Sequence, residues 1–303
     1  MRLWLPRRSL AVVVFALLLV LLVGALAACG SQTTTTSSAA SSTTTGAAST
    51  TSAAPTTTTG ASTSTSAAAG PQALTVSAAS SLKAAFTEIG KAFDAANNAK
   101  TTFNFDASGT LQKQIEAGAP VDVFASAAMK QVNALVDENL ADKDSVKVFA
   151  SNEIVLVVPS NSTLNLTSFQ DLTRSDVKKI TYGDPKVAPH GVAAEEILNK
   201  LGIFDQVKPK VIYASNVSQA LDYVSTGEVD AAIIFATEAQ AGGDKVKTIA
   251  KADPAWYSKV AYPIAIVSAS KVKTLGQAFI DYVMSPDGQA VLHKYGFLPA
   301  PAQ

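Results

Sequence analysis

From Ala73 onward, short apolar runs alternate with longer stretches whose apolar residues recur every three or four positions. Leu74-Thr75-Val76 reads as a strand, and Leu82, Ala85, Phe86, Ile89 and Phe93 then fall at helical spacing. Thr102 to Phe105 alternates as a strand, Leu111 and Ile115 open a short helix, and Val121 to Phe124 is a strand before a helix around Met129 to Glu138. Ile154 to Val158 is a wholly apolar strand that stops at Pro159. Lys179 to Tyr182, Lys210 to Tyr213 and Ala231 to Phe235 are further strands, separated by helices at Val192–Leu201 and Val217–Thr226. A strand at Ile264 to Val267 and a helix from Leu275 to Met284, with Phe279 and Val283 inward, complete the pattern. Such alternation predicts α/β architecture with largely parallel sheets, and a chain of this length fits two doubly wound lobes.

The first seventy residues follow other rules. Arg2, Arg7 and Arg8 precede an uncharged apolar run from Ser9 to Ala28, and Cys29, the single cysteine, follows directly. A basic start, an apolar middle and small residues before a break describe a secretory signal. Leu26-Ala27-Ala28-Cys29 resembles the lipobox of bacterial lipoproteins, in which the cysteine is lipidated and becomes the new N-terminus. An uncleaved membrane helix is the competing reading, since the run approaches the ~20 residues that span a bilayer. Either way the remainder lies outside the membrane. Arg7-Arg8 leaves open whether export follows the general or the twin-arginine route. From Gly30 to Gln72 no residue is charged, and Ser, Thr, Ala, Gly and Pro dominate. So little apolar side chain cannot offset the entropy of ordering, and the segment is expected to be a disordered tether, open to glycosylation.

Charge narrows the partners. Without the three signal arginines the chain keeps 21 of its 24 Lys+Arg against 24 Asp+Glu, a net of −3. Mild acidity argues against nucleic acid or an anionic membrane surface. The absence of cysteine beyond Cys29 excludes disulfides and thiol chemistry from the domain, and two histidines, His190 and His293, exclude a His-rich metal centre. Arg174 is the single arginine after the signal, in a stretch that reads as surface, so a guanidinium clamp for a carboxylate ligand is not expected.

Four strand-to-helix junctions place a small hydroxyl, Gly or Asn residue where a helix begins: Ser80-Ser81, Ser108-Gly109, His190-Gly191 and Ser215-Asn216. Each leaves free backbone N–H groups and the positive end of a helix dipole at the sheet edge, a ready anion site. Taken singly, each is an ordinary helix cap. Their meaning as a group depends on whether they converge.

The stretches Ser77-Ala78-Ala79-Ser80-Ser81-Leu82, Ala107-Ser108-Gly109-Thr110-Leu111 and Gln114-Ile115-Glu116-Ala117-Gly118-Ala119-Pro120 resemble the molybdate-binding proteins of ABC importers. So do Gly183-Asp184-Pro185, Tyr262 to Val267 and Tyr295-Gly296-Phe297, and the likeness runs over Ala73–Pro299. The resemblance implies a periplasmic binding protein type II-like fold with a ligand cleft between two lobes. It places residues 73–152 and 263–299 in lobe 1 and residues 153–262 in lobe 2, after a 1–29 signal peptide and a 30–72 tether. It implies that hydroxyls and backbone amides hold the tetrahedral dianion: Ser81 and Ser108 from lobe 1, and the backbone N–H groups of His190 and Val217 from lobe 2. Family members place a tyrosine at the position of Phe235 and a small residue at that of His190. Phe235 has no donor, and the His190 ring is expected at the solvated rim of the cleft. Ala128 also departs from the family, which often has an acidic residue near it. The hinge is expected near Ala150–Glu153 and Tyr262–Pro263.

The reading is therefore a monomeric, non-enzymatic, extracytoplasmic lipoprotein anchored through Cys29, with no cofactor and no metal beyond the bound oxyanion. It would carry molybdate or tungstate to an ABC permease. Sulfate or phosphate as ligand, and a stalked structural lipoprotein, are the alternatives. Catalysis is not expected: Ser81 and Ser108 lack an adjacent base, and Glu195 and Glu196 point apart on one helix.

Overall fold

A computed structural model describes residues 70–300. The expected leader, the expected lipidation position Cys29 and the expected tether through residue 69 lie outside the described residues. The chain first builds β1 (Gln72–Ala79), α1 (Lys83–Asn97), β2 (Ala99–Asp106), α2 (Ser108–Glu116), β3 (Val123–Ala125), α3 (Met129–Asp137) and β4 (Lys147–Ser151). It crosses to a second lobe made of β5 (Ile154–Pro159), β6 (Ile180–Gly183), α4 (Pro189–Lys200), α5 (Phe204–Val207), β7 (Val211–Ala214), α6 (Val217–Ser225), β8 (Ala231–Phe235), α7 (Ala236–Gly242) and β9 (Val246–Lys251). It then returns to the first lobe with β10 (Ala261–Ile266), α8 (Lys273–Met284) and α9 (Pro286–Lys294).

Each lobe is a five-stranded sheet, ordered β2-β1-β3-β10-β4 in the first and β7-β6-β8-β5-β9 in the second. The sheets are mixed rather than largely parallel. β1 pairs parallel with β2 and β3, and β6 with β7 and β8, while β10 and β5 run antiparallel to both of their neighbours. These two reversed strands are the ones on which the chain has just changed lobe, so they enter their sheets from the opposite edge. The return begins at Ala261, two residues before the expected boundary, which puts Tyr262 in the sheet of lobe 1.

The central strands β5 and β8 read as continuous apolar runs because both of their faces are covered. Every residue of β5 and of β8 is buried, as sheets flanked by helices require. In α1, Ala85, Phe86, Ile89 and Phe93 turn inward, and Phe93 meets Phe279 of α8 edge-on at 5.2 Å between ring centres. The parallel strands β1, β2, β6 and β7 all end at the edge where the next helix begins, the position at which α/β sheets offer their ligand sites. Leu298 exchanges backbone hydrogen bonds with Ser151 (2.8 and 3.0 Å), tying the C-terminal segment to the crossing from β4 to β5.

Candidate anion site

The five residues selected from the sequence line one small cavity between the lobes. Ser81, Ser108, His190, Val217 and Phe235 share it with Ala79, Asp106, Ala127 and Ala188, among others. It encloses about 10 Å³, far below the ~300–1,000 Å³ of pockets that take drug-sized ligands. Among the described residues that line it, none is lysine or arginine.

Local sequence explains how each group arrives. Ser81 lies in a short 3₁₀ turn, Ser80–Leu82, that leads from β1 into α1. Ser108 and Val217 are the first residues of α2 and α6, positions whose N–H groups have no partner within the helix. Asn216 caps α6 by accepting from the Gln219 N–H at 3.0 Å, so the helix starts squarely at Val217. Ser108 does not cap. Its Oγ accepts from the Ala127 N–H at 3.0 Å, which leaves its own hydroxyl proton free for another acceptor. Ser81 Oγ lies 3.0 Å from Tyr262 Oη, and Asn152 Nδ2 donates both to that phenol (3.2 Å) and to Thr237 Oγ1 (2.9 Å).

His190 departs from expectation: its ring is not at the rim but buried, 2 % exposed. It packs against Phe235 with ring centres 5.6 Å apart, over Gly183, where a Cβ would stand 2.4 Å from its Cε1. The glycine of Gly183-Asp184-Pro185 therefore makes room for the imidazole. Desolvation pulls the His190 pKa down to about 3, so the ring is neutral at ordinary pH and adds no charge to the cavity. Its Nε2 has no hydrogen-bond partner among the described residues. Phe235, 1 % exposed, closes the wall and packs on Tyr262 as well (6.0 Å).

Residues from opposite lobes touch around the cavity. The Gly109 N–H donates to Val187 O at 2.8 Å, and a Cβ on Gly109 would stand 2.8 Å from both Val187 Cα and Val187 O. Asn216 Nδ2 donates to Asp106 Oδ1 at 3.1 Å, an oxygen that also accepts from the Ala107 N–H at 2.7 Å. Gln240 Nε2 reaches Lys294 O at 2.9 Å. The lobes are thus closed on one another. Asp106, Asn152, Asn216 and Tyr262 were not selected as site residues. Asn216 could have been, as an Asn beside a helix start, whereas the roles of Asp106, Asn152 and Tyr262 depend on contacts more than 100 residues away in sequence.

A larger crevice of about 660 Å³ also borders Ser80 and Ser81 but reaches none of the other four selected residues. It contains Glu238, 5 % exposed, which accepts from Ser218 Oγ at 3.3 Å. Burial, with a smaller contribution from Asp222, pushes the Glu238 pKa up to about 7 against the hydrogen bond from Ser218. Arg174 lies at the surface beside Asp176 (2.6 Å), away from the cavity, and His293 is exposed.

The family of bacterial extracellular solute-binding proteins matches residues 74–298. The Escherichia coli (strain K12) "Molybdate-binding protein ModA" is 33% identical over 230 residues, 74% of this chain and 88% of that protein. This chain is a solute-binding protein of the ModA family. The Bacillus subtilis (strain 168) "Putative ABC transporter substrate-binding lipoprotein YvgL" is 40% identical over 226 residues, 74% of this chain and 85% of that protein. The Azotobacter vinelandii periplasmic molybdate-binding protein shares the fold with a TM-score of 0.68 at 20% identity, covering 75% of this chain and all of that one. The ModA-family chain is accordingly the extracellular solute-binding component of an ABC transporter, with the two-lobed type II fold. Proteins of this kind bind their solutes and do not transform them, so the chain is not an enzyme.

Proposed function

We propose that the cavity binds a fully ionised tetrahedral oxyanion, molybdate, through the hydroxyls of Ser81 and Ser108 and the backbone N–H groups of Ser81, Ser108, His190 and Val217. The observation that carries this is the meeting of helix starts from both lobes in one small cavity with hydroxyl and amide donors and, among the described residues that line it, no cation. Helix N-termini supply both the donors and the favourable dipole for an anion. Phe235 forms an apolar wall where the sequence resemblance implies a tyrosine. The likeness to ModA proteins of several organisms supports molybdate over sulfate. Tungstate offers the same shape and charge and should bind equally.

Cys29 would carry the lipid, and the 30–72 segment would let the domain reach an ABC permease in the same membrane. The "lipoprotein" in the name of the Bacillus relative supports this anchoring. Delivery then consists of closure on the anion, docking on the permease and reopening there. Isothermal calorimetry with molybdate, tungstate, sulfate and phosphate tests the ligand. We expect strong, near-equal heats for the first two. Sulfate as tight as molybdate, or no molybdate heat at micromolar protein, would remove the claim.

A further inference from the structure

The hydrogen bonds behind Ser81 have a direction that the structure fixes. Asn152 accepts from the Glu153 N–H at 2.9 Å through Oδ1, so its other side-chain atom is the amide nitrogen, a donor only. That nitrogen donates to Tyr262 Oη at 3.2 Å and to Thr237 Oγ1 at 2.9 Å. Tyr262 is wholly buried, and its phenol proton needs an acceptor. Of the two groups that hydrogen-bond the phenol among the described residues, Asn152 Nδ2 has no lone pair to offer, so the proton goes to Ser81 Oγ at 3.0 Å. The opposite arrangement, with Ser81 donating, would leave the phenol proton buried without a partner. Ser81 Oγ is therefore an acceptor toward the protein, and its own proton is free to turn to the cavity that Ser81 lines. Ser108 is set the same way by the Ala127 N–H.

We propose that Tyr262, oriented by Asn152, is a positioning residue that determines specificity by holding the Ser81 hydroxyl as a donor, so that the site prefers oxyanions that carry no proton. This rests on the anion-binding reading above and adds a residue that does not itself touch the ligand. Molybdate, tungstate and sulfate present only acceptors at neutral pH. Arsenate and phosphate keep a proton there, and one facing Ser81 would meet a second proton instead of a lone pair. Asn152 lies between β4 and β5, and Thr237 belongs to lobe 2, so the direction of the Ser81 hydroxyl is set from the crossing between the lobes.

The test is calorimetry on the full-length protein with molybdate and arsenate, comparing wild type, Tyr262→Phe, Ser81→Ala and the double variant. Tyr262→Phe should weaken molybdate at least tenfold and raise the arsenate-to-molybdate affinity ratio at least tenfold. On the Ser81→Ala background the same change should cost molybdate less than twofold. Should Tyr262→Phe fail to fold, Asn152→Asp serves: its new carboxylate oxygen draws the phenol proton away from Ser81, and the ratio should move in the same direction. A molybdate loss that is fully additive with Ser81→Ala, or an unchanged ratio, overturns the positioning role while leaving the anion site intact. A wild type that binds no oxyanion overturns both.

Discussion

The two lobes meet the cavity with different chemistry. Lobe 1 offers hydroxyls, Ser81 and Ser108, whose oxygens are already occupied by Tyr262 and by the Ala127 N–H. Lobe 2 offers backbone N–H groups at the starts of α4 and α6, behind an apolar wall of Phe235 and a neutral His190. Side-chain substitution can therefore remove hydroxyl donors from one half of the site, while the donors of the other half yield only to changes of the main chain. Lobe 2 also holds the two buried side chains with a carboxyl or imidazole among the described residues, Glu238 and His190. Through these two buried side chains, solution pH should act on lobe 2.

The largest effect should come from the hydroxyl half. Ser108→Ala removes a donor to a charged ligand and leaves the buried Ala127 N–H without its acceptor. We expect molybdate affinity to fall by about 1.5–3 kcal/mol, roughly 10- to 150-fold, by calorimetry; a loss under threefold would mean that lobe 1 does not hold the anion. Next is the pH response of lobe 2. The Glu238 pKa is raised to about 7 from an ordinary value of 4.5, so between those limits the folded state holds a proton that the unfolded chain has released. Its contribution to stability is thus fully present below about 4.5 and is lost as pH rises through 7. Glu238→Gln should gain on wild type by about 2–3 kcal/mol between pH 4 and pH 8, seen in denaturant midpoints. A constant difference across that range would place Glu238 in water. His190 acts with the opposite sign: held near 3, it costs stability as pH falls below 6.5, equally in both proteins.

The main-chain half can be probed without touching a side-chain contact to the ligand. Val217 is the first residue of α6, where proline fits, and Asn216 before it is extended (φ −152°, ψ 176°), as a residue preceding proline must be. Val217→Pro should delete one N–H and weaken molybdate by about 1.5 kcal/mol, while Val217→Ala should change affinity by less than threefold. Equal effects from the two would assign the loss to packing instead. The smallest change expected is in Phe235→Tyr, a gain of about 1 kcal/mol in molybdate affinity if the added hydroxyl reaches the anion. Unaltered affinity and selectivity would make Phe235 solely a core residue.

Much of this was legible in the residues themselves, because helix starts carry local signals. Ser108 follows a strand that ends in Asp106, Asn216 announces the start of α6, and all five selected residues reached the same cavity. What was hidden depended on partners distant in sequence. β4 and β9 were missed because they lie at the sheet edges and carry Lys147, Lys247 and Lys251 among their apolar residues. The reversed directions of β5 and β10 leave no mark in an apolar run. Nor does hydropathy show that Gly183 opens a space for the His190 ring, so an ionisable side chain was placed in water. The bond between Ser81 and Tyr262 spans 181 positions, beyond any local pattern.

Gly109 sets the tolerance of the seam between the lobes at less than one methyl group. A related chain could keep every donor, every hydroxyl and both crossings, carry alanine at this single position, and rest ajar. Its anion would stay half-hydrated and escape before a permease met it. Surveys that score homologues by their ligand residues alone would count such a chain as a transporter subunit, although the defect would be mechanical and would lie outside the residues they inspect.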